Sequence, residues 1–77
     1  MKAAIKGYVV GELLSGKDVD DKDDLLLSGL VDSLGIMRLV NHLEQEYSIN
    51  IPPEDVTIDN FTNIEAISLY LERRMSA

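Results

Sequence analysis

Two side chains in this 77-residue sequence invite a nucleophilic reading: Ser33, in the stretch Asp32-Ser33-Leu34, and His42, the only histidine. A serine hydroxyl becomes a useful nucleophile when a base within hydrogen-bond reach takes its proton. Spacing denies that pairing. Residues 33 to 47 carry apolar side chains at helical intervals, and nine residues of helix leave Ser33 and His42 about 180° apart around the axis and roughly 13 Å apart along it. His42 is therefore expected to face water or a partner, and Ser33 has no base of its own. The run Asp18-Val19-Asp20-Asp21-Lys22-Asp23-Asp24 suggests calcium instead. A calcium loop of the helix–loop–helix type needs oxygen ligands at alternate positions, glycine at the sixth and glutamate at the twelfth. Counted from Asp18, the fifth position is Lys22, the sixth Asp23 and the twelfth Gly29, so the pattern fails three times. A solvated charge run explains these residues better, with at most weak, unspecific divalent association. There are no cysteines, which removes thiolate zinc sites and disulfides. Neither a glycine-rich phosphate loop nor a set of clustered metal ligands occurs. The chain reads as one handled by enzymes, not as an enzyme itself. Ser33 is left with two roles: a helix cap, or an attachment point served by another protein.

The elements that would position Ser33 follow from apolar periodicity. Ile5, Val9 and Leu13, with Tyr8 beside them, predict a first helix over residues 2 to 14, weakened by Gly7 and Gly11. Ser15-Gly16 ends it. A long connection follows to Val31, acidic in its first half and apolar in its second, where the leucines should pack down over the helices. The clearest helix spans residues 33 to 47, with Ile36, Val40, Leu43 and Tyr47 on one face and Met37 and Leu39 flanking it. Asp32 is a good N-cap, because its carboxylate can accept from a free amide of the first turn. The outer face carries Arg38, Asn41, His42 and Gln45. Ile49-Asn50-Ile51 is too short to make a sheet. Pro52-Pro53 stops the helix and opens a short one over about Pro53 to Val56. Thr62-Asn63-Ile64-Glu65 matches a capping box, with Thr62 as cap. Ile64, Ile67 and Leu71 then stripe a last helix to about Arg74, with Arg73 and Arg74 near the negative end of its dipole.

Seventy-seven residues predict one domain, residues 1–77, near the lower limit for an independent core. A formal charge of −7 repels phosphate backbones and argues against nucleic acid. It suits basic partner surfaces, or simply keeps the chain in solution. No apolar run approaches the roughly 20 residues of a membrane span, and no signal-peptide core follows Met1-Lys2. A monomeric cytoplasmic protein is expected.

The segment GLVDSLGIMRLVNHLEQEYSINIPPEDV resembles the core of acyl and peptidyl carrier proteins. The resemblance runs the length of the chain: first helix, long loop, DSL helix, Ile-Pro turn and final helix. DSL alone is a weak motif; with about 15 residues of amphipathic helix, Tyr47 and INIPPEDV behind it, the match is specific. It implies an all-α, acyl-carrier-like bundle of three main helices plus one short helix, with a long loop after the first. It also implies that Ser33 carries 4′-phosphopantetheine, transferred from coenzyme A by a phosphopantetheinyl transferase with magnesium. Asp32 would cap the helix and help present the serine. Leu34 and Gly35 would shape the surface beside the arm, and Arg38, Asn41 and His42 would meet partners. Fatty-acid carriers have a strongly acidic outer face on this helix; here acid returns only at Glu44 and Glu46. The Leu30-Val31 pair ahead of DSL is more similar to free-standing carriers loaded by an adenylating acyl or aminoacyl ligase, D-alanyl carriers included. Downstream acyl-transferring enzymes would complete the partner set. The rival reading is an acidic helical interaction module that never carries an arm.

Overall fold

The computed structural model describes residues 1–76. Among them are four α-helices and no strand: α1 (Lys2–Tyr8), α2 (Ser33–Tyr47), α3 (Ile58–Phe61) and α4 (Ile64–Ser76). This is the all-α arrangement expected, three main helices and one short one with a long loop after the first. One buried cluster joins Ile5 and Val9 of the first helical segment, Ile36, Leu39 and Leu43 of α2, Phe61 of α3, and Ile64, Ile67, Tyr70 and Leu71 of α4. α4 lies at the centre and packs against both α1 and α3.

The first helix is not uniform. After Tyr8 it widens into a π-helical turn, Val9–Leu13, in which the Leu14 amide donates to the Val9 carbonyl at 3.0 Å. That bond reaches back five residues where an α-helix reaches back four, a geometry used mostly in single turns. Gly11 lies in this turn and Gly7 just before it, both poor helix formers. Ser15 and Gly16, at φ 54° and 87°, close the segment in left-handed conformation.

The connection from Ser15 to Asp32 holds three buried anchors, Val19, Leu25 and Val31. Backbone bonds strap it to the start of α4: the Leu25 amide donates to the Thr62 carbonyl at 2.7 Å, and the Glu65 amide to the Asp21 carbonyl at 3.1 Å. Asp18, Asp20 and Asp23 face water as expected, whereas Asp21 lies 3.4 Å from Lys6 and 4.0 Å from Lys2. The leucines divide. Leu25 is fully buried, Leu26 half-buried, and Leu27 is 74% exposed, so not all of them pack down.

α2 spans the expected residues, but its buried stripe is centred elsewhere. Leu39 is completely buried, while Val40 and Tyr47 are only partly covered and Met37 is exposed. The covered stripe runs through Ile36, Leu39 and Leu43, so the helix is turned to bring Leu39, not Val40, against the core. Ser48, at φ 53°, caps the helix end, and the Glu44 carboxylate accepts the Ile51 amide at 2.9 Å, which folds the following turn back.

Two further corrections concern the last third. Pro53–Asp55 forms a single 3-10 turn, and the short helix lies downstream, at α3, capped by the Thr57 hydroxyl accepting from the Asn60 amide at 3.3 Å. The α4 cap is Asn63, whose Oδ1 accepts the Ala66 amide at 2.7 Å, and not Thr62. Tertiary structure decides this: the Thr62 carbonyl is taken by Leu25, and Glu65 lies 3.6 Å from Lys2 and does not close a capping box. The 3-10 turn is fastened to α4 through Asp55. Its carboxylate accepts the Tyr70 hydroxyl at 2.7 Å and sits 3.9 Å from Arg74, and its carbonyl accepts the Asn60 side-chain amide. Burial, together with the Asp55 carboxylate, pushes the pKa of the Tyr70 hydroxyl up to about 12.

Candidate attachment site at the start of α2

Ser33 is the first residue of α2, and it is exposed. Its hydroxyl stands free of the capping work because Asp32 does it. The Asp32 backbone is extended, its Oδ1 accepts the Gly35 amide at 2.8 Å, and its carbonyl accepts the Ile36 amide at 3.0 Å. The amides of Ser33 and Leu34 lie in the first turn and have no intrahelical acceptor. They point outward at the positive end of the helix dipole, where an anion is favoured.

The chain reaches Ser33 along a wound path. Asp24 Oδ1 accepts the amides of Leu26 and Leu27 at 2.9 and 2.8 Å, and the Ser28 hydroxyl donates to the Asp24 carbonyl. Gly29 turns at φ 79°, and the Val31 amide donates to the Leu25 carbonyl at 2.8 Å. Val31 is thereby buried directly before the cap. Gly35 completes the fit: a Cβ there would stand 2.8 Å from Val31 Cγ1 and 3.4 Å from Asp32 Oδ1. The glycine allows the close approach that holds Asp32 and Ser33 in place.

Of the residues expected beside Ser33, Leu34 is 68% exposed and belongs to the surface, not the core. Arg38 and Asn41 are exposed too. His42 is not a freely solvated side chain. Its ring stacks on Tyr8, centroids 3.9 Å apart and planes within 13°, and is half-buried. The Tyr8 hydroxyl reaches the Arg38 carbonyl at 3.4 Å, and the Arg38 guanidinium lies 3.9 Å from Glu12. The imidazole is thus engaged with α1, in keeping with the helix geometry that separates it from Ser33.

Three exposed apolar residues gather near Ser33 without any sign of it in the helical periodicity. Leu27, Met37 and Ile58 are 74%, 67% and 52% exposed. With Val56 and Phe61 they line an open groove that includes Ser33, and Leu34, Met37, Val40 and Ile51 line a second on the other side of Met37. The one sequence signal of this surface is the run Leu25-Leu26-Leu27, three consecutive large apolar residues that cannot all point inward.

An exposed hydroxyl at a helix start, with a neighbouring residue taking the cap, is the arrangement a group-bearing serine needs. The family model for phosphopantetheine attachment sites matches residues 3–71. The chain belongs to this family. Comparison with curated proteins gives no match. Phosphopantetheine-binding proteins hold 4′-phosphopantetheine covalently and act as carriers. The start of α2 suits such a group in two respects: an accessible hydroxyl to esterify, and free first-turn amides to face the anionic phosphodiester. No helix among the described residues is long and apolar enough to cross a membrane.

Proposed function

We propose that this chain, a single carrier domain over its 77 residues, presents acyl or aminoacyl groups to partner enzymes on a phosphopantetheine arm at Ser33. The arm supplies a terminal thiol on which the cargo is held as a thioester. The observation that carries the proposal is Ser33's position, exposed at the first turn of α2 while Asp32 caps the helix. The chain's own residues then have distinct tasks. Asp32 and Gly35 fix the serine's backbone against the buried Val31. The Ser33 and Leu34 amides and the helix dipole favour the phosphodiester charge. Leu34 and Met37 offer an apolar surface to a docking enzyme. No base in the carrier is required, since a phosphopantetheinyl transferase with magnesium would activate the hydroxyl against coenzyme A. Tethering raises the effective concentration of cargo at each partner.

The absence of acid on α2 between Asp32 and Glu44 favours an adenylating acyl or aminoacyl ligase as the loading enzyme over fatty-acid synthase components. Incubation with coenzyme A, magnesium and a broad-specificity transferase should add the mass of one arm, and peptide mapping should find it on Ser33. Uptake of the arm by Ser33→Ala would refute the assignment, and a wild-type protein that never gains it would leave the interaction-module reading standing.

A further inference from the structure

The charge of this protein is unevenly distributed. Fourteen acidic residues give it a formal charge of −7, yet Arg38 is the only formally charged residue on α2 between Asp32 and Glu44. Arg38, Asn41, His42 and Gln45 follow one another at intervals of three, one and three, so they share one face of the helix. With Tyr8 they line a shallow cleft on the α1 side of α2. Every one of these side chains can donate a hydrogen bond. The guanidinium, two primary amides, an imidazole and a phenol form a donor-rich strip on an otherwise acidic molecule.

The strip has an internal counter-ion. Arg38 lies 3.9 Å from Glu12, and both side chains are more than half exposed. A pair so open to water is held weakly and is readily exchanged. Glu12 reaches Arg38 from the π-helical turn, so the first helix and α2 are linked by this ion pair as well as by the Tyr8–His42 stack. The stack fixes one wall of the cleft, while Arg38, Asn41 and Gln45 remain exposed. A visiting carboxylate could therefore replace Glu12 at Arg38 and find amide donors beside it, without rearrangement of the core.

We propose that this strip is the docking site for a carboxylate-bearing surface of a partner enzyme, whose acid displaces Glu12 from Arg38. The inference rests on the carrier reading, which supplies the partner, and goes beyond it by assigning the sign of that partner's surface: acidic at the strip, opposite to what the net charge of the carrier attracts. Charge complementarity selects the occupant: Arg38 is the one formal charge that α2 itself puts on this face, and the neutral side chains beside it can all donate to carboxylate oxygens.

Nitrogen-15 NMR titration at low salt tests it, with hexaglutamate and hexalysine peptides as probes. Hexaglutamate should shift the Arg38 side-chain resonance, the Asn41 and Gln45 side-chain amides and the neighbouring backbone. Hexalysine should shift the loop from Asp18 to Asp24. Glu12→Gln should tighten hexaglutamate binding about 2- to 5-fold and Arg38→Gln should weaken it by a similar factor, both effects shrinking as salt rises. Hexaglutamate shifts that are absent, that fall elsewhere, or that persist unchanged in Arg38→Gln would overturn the proposal. Transferase loading of Ser33 is run on the same samples. Loading without the titration response defeats this inference alone, whereas failure to load defeats the carrier reading beneath it.

Discussion

Gly35→Ala sets two opposed effects against each other. Replacing glycine by alanine inside a helix gains up to about 1 kcal/mol from the lower entropy of the unfolded chain and the better propensity. At this position the added Cβ would stand 2.8 Å from Val31 Cγ1, and Val31 is only 5% exposed. A valine has one stiff side-chain torsion and cannot swing its methyl aside cheaply. Forcing an extra methyl into a filled site costs about 1–3 kcal/mol. The clash should win, with a net loss of roughly 1 kcal/mol. Removing the obstacle reverses the sign. In a Val31→Ala background Cγ1 is gone, and Gly35→Ala should there be neutral or stabilising by up to about 1 kcal/mol, although Val31→Ala itself lowers stability. The two changes should therefore couple by about 1–3 kcal/mol. Urea unfolding of the four proteins reads this directly, since a slope of about 1 kcal/mol per molar turns the predicted loss into a midpoint shift of about 1 M. If Gly35→Ala stabilises the wild-type background, or has the same effect in both backgrounds, the close approach of Val31 is not why glycine stands there.

Leu43, in the second half of α2, is fully buried, and Leu43→Ala should cost about 2–5 kcal/mol in thermal or urea unfolding, whereas Ser33→Ala, which removes an exposed hydroxyl, should change stability by less than about 0.5 kcal/mol. Tyr70 titrates above its ordinary value when folded, so the unfolded chain loses that proton first as pH rises. The contribution is complete below pH 10 and is lost as pH climbs towards about 12. Unfolding midpoints should fall over that window, and Tyr70→Phe, which removes the titrating hydroxyl, should flatten the slope.

Much of this is legible locally. α2 can be bounded because Asp32 is a strong capping residue and Pro52-Pro53 follows, and both signals lie beside the segment they bound. Ser33 stands out for the same reason: its neighbours along the chain create its setting. The features that the sequence hides depend on distant partners. Thr62 and Asn63 are both competent caps one residue apart, and the choice between them is made by Leu25, which takes the Thr62 carbonyl. Val40 and Leu39 differ by about 100° around the helix, and only the neighbours of α2 decide which of them is covered. Thr57 escapes notice because Pro52-Pro53 offers an earlier helix start, yet those prolines open only a 3-10 turn. The exposed surface of Leu27, Met37 and Ile58 is hidden for a related reason. Apolar residues from a loop, α2 and α3 meet beside Ser33, and no periodicity within one element reports that meeting.

The widened turn at Val9–Leu13 has a consequence for chain length. A π-helical turn holds one residue more than the α-helix would, so it behaves as a one-residue insertion absorbed without breaking the helix. Beyond it, each residue points about 100° away from where the same residue would point in an uninterrupted α-helix. Glu12, which meets Arg38, and Leu13, which lies beside Gly35, stand at the far end of the widened turn. Wound as plain α-helix at the present length, the segment would turn both side chains away from α2. Taking out Gly11 removes the surplus residue, and the shortened helix can then be regular and still aim them as they are aimed now. A residue count in the first helix, far from Ser33 in sequence, thus sets which side chains flank the serine's own helix.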